Sequence, residues 1–409
     1  MKNKTEGPLS GVRVVDLTTI VSGPVATMML ADQGADVIKV EPPGGEQMRQ
    51  LGTPQPVGMT GIFLSCNRSK RSICVDLKSK KGKEIIRKLV KTADVFVQNF
   101  RPGAANRIGL GEADVRRIKE DIVYVSISGF GEKGPYSEQR VYDPVIQALS
   151  GLTDIQADQE TGVPKMVRTI IPDKTTSVTA AQAITAALFY RERSKKGQHI
   201  KLAMLDTMIA YLWPEAMSVL SFVGNEGDPK KGSLGLDLVF KTRDRYITAG
   251  AISDSEWQGM CRVFKREDLI SDDRFSTARA RAMHRPERLE IMSQEIGKWD
   301  SEELLSRFRE EQVPSAPILD RKELLDDPQV KENDIIQVFD GGHLGSIRQP
   351  RPAAQFGLTP STVRSMAPIL GQDNKDILEE LGYDLSDIEN FQDEQVIHED
   401  VTDKSERPS

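Results

Sequence analysis

The sequence predicts an α/β protein, with a large Rossmann-like domain on a parallel sheet and a smaller α+β domain after it. Three observations lead there. Short valine- and isoleucine-rich runs alternate with helical patterns through the first third of the 409-residue chain, the signature of right-handed βαβ units. At ~150 residues per domain the length allows roughly two or three domains. Composition then shifts at residues 224–235 (GNEGDPKKGSLG), whose glycine, proline and charge mark a loop.

The elements follow in order along the chain. Residues 12–17 (VRVVDL) read as a buried parallel strand. A small-residue loop runs from Thr18 to Pro24, and Pro24 suits a first helical turn. The helix VATMMLADQ ends at Gly34. Residues 36–41 (DVIKVE) form the next strand and 73–77 (ICVDL) another. Ile85, Ile86, Leu89 and Val90 recur at helical spacing between Gly82 and Lys91. Strands at 94–98 and 122–128 flank a short helix at 115–119. Pro172-Asp173-Lys174 opens an alanine-rich helix over 175–191, closed by the basic run 191–196 and Gly197. A strand at 198–203 and a helix at 205–219 complete this part. Beyond the loop, 237–251 reads as a hairpin and 256–308 as mostly helical. The predicted limits are 1–220 for the first part of the large domain and 236–330 for the small domain. Residues 331–409 return to the large domain through a helix at 374–381 and end in a polar tail.

Composition narrows the function. Hydrophobic residues make up 38% and the net charge is −6, which fits a globular protein and gives no basic excess for nucleic acid. No apolar run approaches the ~20 residues of a membrane helix, and the N-terminus has no apolar leader. Cys66, Cys74 and Cys261 lack CxxC spacing, so neither a disulfide framework nor a zinc knuckle is expected. These features predict a cytoplasmic protein.

Several sharp motifs are missing. The first βα turn lacks G-x-G-x-x-G, so a dinucleotide site is not expected although Glu41 ends the second strand. His199, His284, His343 and His398 lie far apart, with no ligand spacing and no G-x-S-x-G nearby. No metal is predicted, and a carboxylate is the more natural actor. Two basic runs flank strands: 67–72 (NRSKRS) before one and 99–107 (NFRPGAANR) after another. At the ends of sheet strands such residues suit phosphates, and Phe100 suits an adenine face; as composition alone they are also ordinary solvated loops. Asp173 reads as the N-cap of the long helix. That position also favours an ionised carboxylate, which an acyl-transfer nucleophile requires.

Taken together the segments PLSGVRVVDLTTIVSGPVATMMLADQGADVIKVEPPGG, CNRSKRSICVDLKSKKG, ADVFVQNFRPGAANRIGLG and SISGFGEKGPY resemble the family III CoA-transferases. The α-methylacyl-CoA racemases are a sister branch. The likeness continues through RERSKKGQHIKLAMLDTMIAYLW, PSAPILDRKELLDDPQV and LGQDNKDILEELGY, in order and over nearly the whole chain. It implies an interlocked homodimer that takes acyl-CoA and a free carboxylic acid, with coenzyme A as substrate and product and no tightly bound cofactor. Asp173 matches the family nucleophile. Asn99, Phe100 and Arg107 match CoA-contacting positions, as do Ile20, Val21 and Ser22 after the first strand. Arg140 and Tyr142 stand for a family Lys-x-Tyr element, and Lys70, Arg71 and Val75 fall in the basic stretch and the strand it enters. Val21 replaces a glutamine of the formyl-CoA branch, Pro42 replaces an arginine, and a glycine-rich lid is reduced to Gly232–Gly235. These departures argue against formyl-CoA and oxalate as substrates. A 2-methylacyl-CoA racemase and a catalytically silent CoA-binding protein are the alternatives. Tyr142-Asp143 stands where the racemases carry His before Asp, and tyrosine's pKa of ~10 suits proton exchange poorly.

Overall fold

The computed structural model describes residues 6–51, 59–158, 160–228 and 238–399. Within them the chain forms two compact units, residues 6–228 with 334–399, and residues 238–333. The expected boundary at Leu236 and the Gly232–Gly235 loop lie outside the described residues.

The first unit is built on six strands: β1 (Arg13–Asp16), β2 (Asp36–Glu41), β3 (Arg71–Cys74), β4 (Val95–Gln98), β5 (Val123–Ser128) and β6 (His199–Ala203). Their order is β3-β2-β1-β4-β5-β6 and every pairing is parallel. That is the order of a doubly wound sheet, in which ligands bind beyond the carboxyl ends where the order reverses, here between β1 and β4. The helices are α1 (Ser22–Asp32), α2 (Gly61–Asn67), α3 (Lys80–Thr92), α4 (Ala104–Arg107), α5 (Glu112–Ile118), α6 (Asp143–Leu149), α7 (Leu152–Ile155), α8 (Ile171–Ser194) and α9 (Met204–Leu212).

Strand alternation sends neighbouring residues to opposite faces. Val14, Val37, Val95 and Val125 bury one face against Ala26 and Leu30 of α1 and Ala180 and Ile184 of α8. The small alanines let both helices lie close to the sheet. Val15, Ile38, Phe96 and Tyr124 bury the other face against Ile85 and Leu89 of α3, Val115 of α5, and Ile377 and Phe391 near the C-terminus. That C-terminal segment also closes the sheet edge: Asp373 accepts from the Ser72 N–H at 2.8 Å, Asn374 from the Cys74 N–H at 2.9 Å, and Val75 bridges Ile397. An edge strand so covered no longer offers a free ladder.

Three expectations need adjusting. The long helix runs to Ser194 and is capped by Lys195 in the left-handed region (φ 59°), not by Gly197. The helix expected over 205–219 stops at Leu212, and turns follow. The antiparallel hairpin of β10 (Ile336–Asp340) and β11 (Ser346–Pro350), and the short α2, were not anticipated. Each is only five to seven residues long, too short to show a clear period.

The second unit holds an antiparallel sheet of β7 (Phe240–Lys241), β8 (Tyr246–Ala249) and β9 (Ser315–Pro317), with β8 central. Trp257, Phe264, Phe275 and Phe308 fill its core. The helix Asp254–Phe264 starts with a Ser253–Glu256 capping box.

Candidate active site

The site begins with buried charge. Asp16 ends β1 with no exposed surface. Its carboxylate accepts from the Thr18 N–H and hydroxyl, the Thr27 hydroxyl and, at 2.9 Å, the Lys70 ammonium. Burial alone would push Asp16 up, but Lys70, then Lys39 and the two hydroxyls, outweigh it and bring it down to about 2. The loop above it is therefore tied to β1 through a charge that stays ionised.

That loop is clamped from two more sides. Asn99, just after β4, accepts from the Thr19 N–H at 2.9 Å and donates to the Thr19 carbonyl at 2.8 Å. Ile20 has φ 71°, and its N–H donates to Glu46 at 3.0 Å. A β-branched residue in the left-handed region costs about 1–2 kcal/mol, and such strain collects at functional sites. Val21 is the N-cap of α1 and is buried with Ser22. Gly23 follows because a Cβ there would stand 2.3 Å from the Thr18 side chain.

Asp173 lies across from this loop in the first turn of α8 and is 8% exposed. It is not the N-cap, as the sequence had implied: Ile170 takes that position and offers no side-chain cap. The cap function comes from another helix, because the Asp143 carboxylate accepts from the Asp173 N–H at 3.2 Å. Burial, then the Asp143 charge, push the Asp173 carboxyl up to about 6, against the pull of the Ser22 N–H and hydroxyl. Gln147 braces the approach: it donates to Asp143 at 2.6 Å and accepts from the Val167 N–H at 3.0 Å. Sequence reasoning missed Gln147 and the role of Asp143. The signal available was an acid followed by proline at a helix start, Asp143-Pro144.

Beyond β4 and β5 opens a cleft of about 790 Å³, lined by Phe100, Arg101, Tyr124, Ser126, His199 and Lys201 among others. Gln98 turns the chain into it by accepting from the Phe100 N–H at 2.8 Å and donating to Ser126 at 3.0 Å. Arg101 and Arg107 are exposed, and neither guanidinium has an ion pair among the described residues. Arg140 and Tyr142 are also exposed, Tyr142 at the start of α6.

Three of the sequence-derived positions are used otherwise. The Lys70 ammonium is buried and divided among Asp16, the Pro24 carbonyl and Asn67 at 2.8–2.9 Å, so its donors serve the fold and not a ligand phosphate. Arg71 enters β3 at its amino end and turns to Asp36 and Glu380, away from the carboxyl ends of the strands. The Val75 side chain belongs to the core beside Ile397.

The arrangement is a buried, basic carboxylate facing a rigid loop, with a cleft beyond β4 and β5 whose Arg101 has no ion pair among the described residues. Comparison with known proteins names the chemistry. The sequence profile of "CoA-transferase family III" matches residues 9–374. The chain belongs to CoA-transferase family III. It is 34% identical over 390 residues to a succinyl-CoA:glutarate CoA-transferase of Mus musculus, covering 94% of this chain and 89% of that one. It is also 34% identical to a succinate–glutarate CoA-transferase of Agrobacterium fabrum, covering 91% and 96%. A CAIB/BAIF family crystal structure from Brucella suis superposes with a TM-score of 0.79 at 31% identity, over 92% of this chain and all of that one. This CoA-transferase therefore has the fold of its family, a six-stranded parallel sheet with a smaller antiparallel sheet.

Proposed function

We propose that this CoA-transferase moves CoA from an acyl-CoA to a free dicarboxylic acid, with Asp173 as the covalent nucleophile. The observation that carries the reading is the Asp173 carboxylate: nearly buried in the first turn of α8 beside Asp143, pushed up to about 6 by burial and that charge, and so mainly ionised at pH 7. A carboxylate stripped of water and made more basic is a better nucleophile than a solvated one.

The steps balance without an added reagent. A carboxylate oxygen of Asp173 attacks the thioester carbonyl, the C–S bond breaks, and CoA leaves as thiolate. The thiolate then attacks the aspartyl carbonyl of the mixed anhydride and frees the donor acid. The acceptor carboxylate attacks the resulting aspartyl thioester and again releases thiolate. The thiolate takes the acceptor acyl group from the second anhydride and returns Asp173 as carboxylate. Each covalent stage keeps the thioester's energy, so ATP has no role. Dicarboxylic substrates follow from the two relatives, both of which act between succinate and glutarate species by name. The CoA nucleotide fits the cleft beside Phe100, with Arg101, Arg107 and Arg140 for its phosphates. A racemase would need an acid–base pair at the α-carbon; where the racemases carry histidine this chain has Tyr142, exposed at the start of α6, which supports transfer instead.

The same reading includes a homodimer. Val178, Phe189, Tyr211, Trp213, Phe222 and Val223 are exposed in and after α8 and α9, an apolar surface that suits a second copy of this chain. Light scattering behind a sizing column at micromolar concentration tests it; a monomer would remove it.

To test the nucleophile, the protein is incubated with succinyl-CoA, quenched with hydroxylamine, digested and weighed. The expected product is a hydroxamate on the Asp173 peptide, absent in Asp173→Asn. A modification elsewhere, or none despite turnover, overturns the assignment.

A further inference from the structure

Behind the strained loop lies an ion pair that the transfer steps do not use. Lys39, in the middle of β2, and Glu46 have fully buried side chains, and they meet at 3.1 Å. The Lys39 ammonium also donates to the Thr18 carbonyl at 3.0 Å. The other Glu46 oxygen accepts from the Ile20 N–H at 3.0 Å. Glu46 is itself held, since its N–H donates to Glu41 at 3.0 Å and Arg49 grips Glu41 through two nitrogens at 2.8 and 2.6 Å. A buried ion pair is seldom the most stable filling for such a space, because two apolar side chains would avoid the desolvation. What it offers here is direction. It fixes a carbonyl and an N–H on either side of Thr19, and Asn99 fixes Thr19 itself. Those contacts hold Ile20 at φ 71°, a conformation that a β-branched residue leaves when released. Two residues on, Ser22 opens α1, which packs with α8 in one apolar cluster, and its N–H and hydroxyl act to hold the Asp173 carboxyl down.

We propose that Lys39 and Glu46 are positioning residues for acyl transfer: by locking Ile20 in its left-handed conformation they keep Ser22 set against the Asp173 carboxylate. The inference rests on Asp173 as the nucleophile. Neither residue touches substrate. The cations assigned to the CoA phosphates, Arg101, Arg107 and Arg140, sit on the far side of the switch point, after β4 and β5, so loss of the pair slows chemistry more than it weakens acyl-CoA binding.

The test replaces the pair by apolar side chains of similar size, K39M/E46L, in the full-length protein. Folding is checked by circular dichroism and thermal unfolding. The expected result is a fall in kcat of about a hundredfold, the scale of a small misplacement at a reacting centre, with KM for the acyl-CoA within about threefold. Hydrogen exchange of the peptide spanning residues 17–25 speeds up in the folded variant. Glu46→Gln keeps an acceptor for the Ile20 N–H and recovers kcat to within about fivefold of the parent. Should K39M/E46L fail to fold, Ile20→Pro asks the same question from the loop, since proline cannot adopt a positive φ and has no N–H; the same loss of kcat is expected, larger than any rise in KM. A folded K39M/E46L or Ile20→Pro with parental kcat overturns the inference. Asp173→Asn, run in parallel, separates the two failures: if it is inactive while the loop variants are normal, only the positioning falls. If it turns over normally, the nucleophile assignment falls.

Discussion

Two basic runs that look alike in the sequence have opposite fates. Residues 67–72 enter β3 at its amino end, and residues 99–107 leave β4 at its carboxyl end. In the first run every cation is spent on the protein. Arg68 pairs with Asp32 at 2.8 Å and donates to the Pro350 carbonyl, Lys70 holds Asp16, and Arg71 holds Asp36 and Glu380. In the second run Asn99 stitches the loop of β1, while Arg101 lines the cleft and both Arg101 and Arg107 stay exposed. The difference is one of strand polarity. A parallel sheet binds ligands at one end only, so the same residue types build structure at one end and remain free for a ligand at the other.

The largest effect lies at the residue the second loop is meant to serve. Asp173→Asn is expected to lower kcat by 10⁴-fold or more, measured by thioester exchange between succinyl-CoA and a dicarboxylic acid. The same variant tests the raised carboxyl. The folded pKa of about 6 exceeds the ordinary 3.8, so the fold favours the protonated form and the ionised form costs stability. That cost is absent below the unfolded pKa, grows as pH rises towards about 6 and is complete above it. Asp173→Asn should therefore unfold in urea with about 3 kcal/mol more stability than the parent at pH 8, and with almost none of that gain at pH 3. A constant gain at both pH values would place its origin outside the carboxyl charge.

Lys70→Met comes next. It leaves the Asp16 carboxylate buried without its ammonium partner, for an expected loss of about 3–5 kcal/mol in urea unfolding. A loss under 1 kcal/mol would mean that Lys39 and the two threonines suffice. Arg107→Ala sharpens the contrast from the other run: stability within about 0.5 kcal/mol of the parent, with KM for acyl-CoA raised about tenfold and its salt dependence weakened. An unchanged KM would remove Arg107 from the CoA site. Arg71→Gln should show the smallest effect, about 1 kcal/mol or less of stability that shrinks in high salt, with kinetics unaltered.

Much of the frame was readable in advance. The strands of β1, β2, β4 and β5 announce themselves because they are buried on both faces and so are nearly continuous in Val and Ile. Asp173 stood out through Pro172 and the alanine-rich helix behind it. Its state did not: an N-cap would be ionised with ease, whereas in the first turn, beside Asp143, the same residue is raised to about 6. Asp143 is 30 residues away in the chain, and no local pattern reports such a neighbour. Lys39 was equally hidden, for a lysine within a strand reads as a solvent-facing position. Only the folded turns after β1 and β2, bringing the Thr18 carbonyl and Glu46 onto it, make a buried ammonium tolerable there.

By itself the sequence determined the α/β class, the direction of the βα units and the acidic residue at the start of the long helix. These depend on side-chain period, turn residues and helix propensity, all of which act between near neighbours. The tertiary structure decided which end of the sheet each basic run occupies, which cations are consumed in the fold, and how far burial and a second carboxylate shift Asp173. Those properties arise from charges and dipoles brought within a few ångströms by packing, and at that range desolvation and Coulomb terms outweigh anything a residue carries alone.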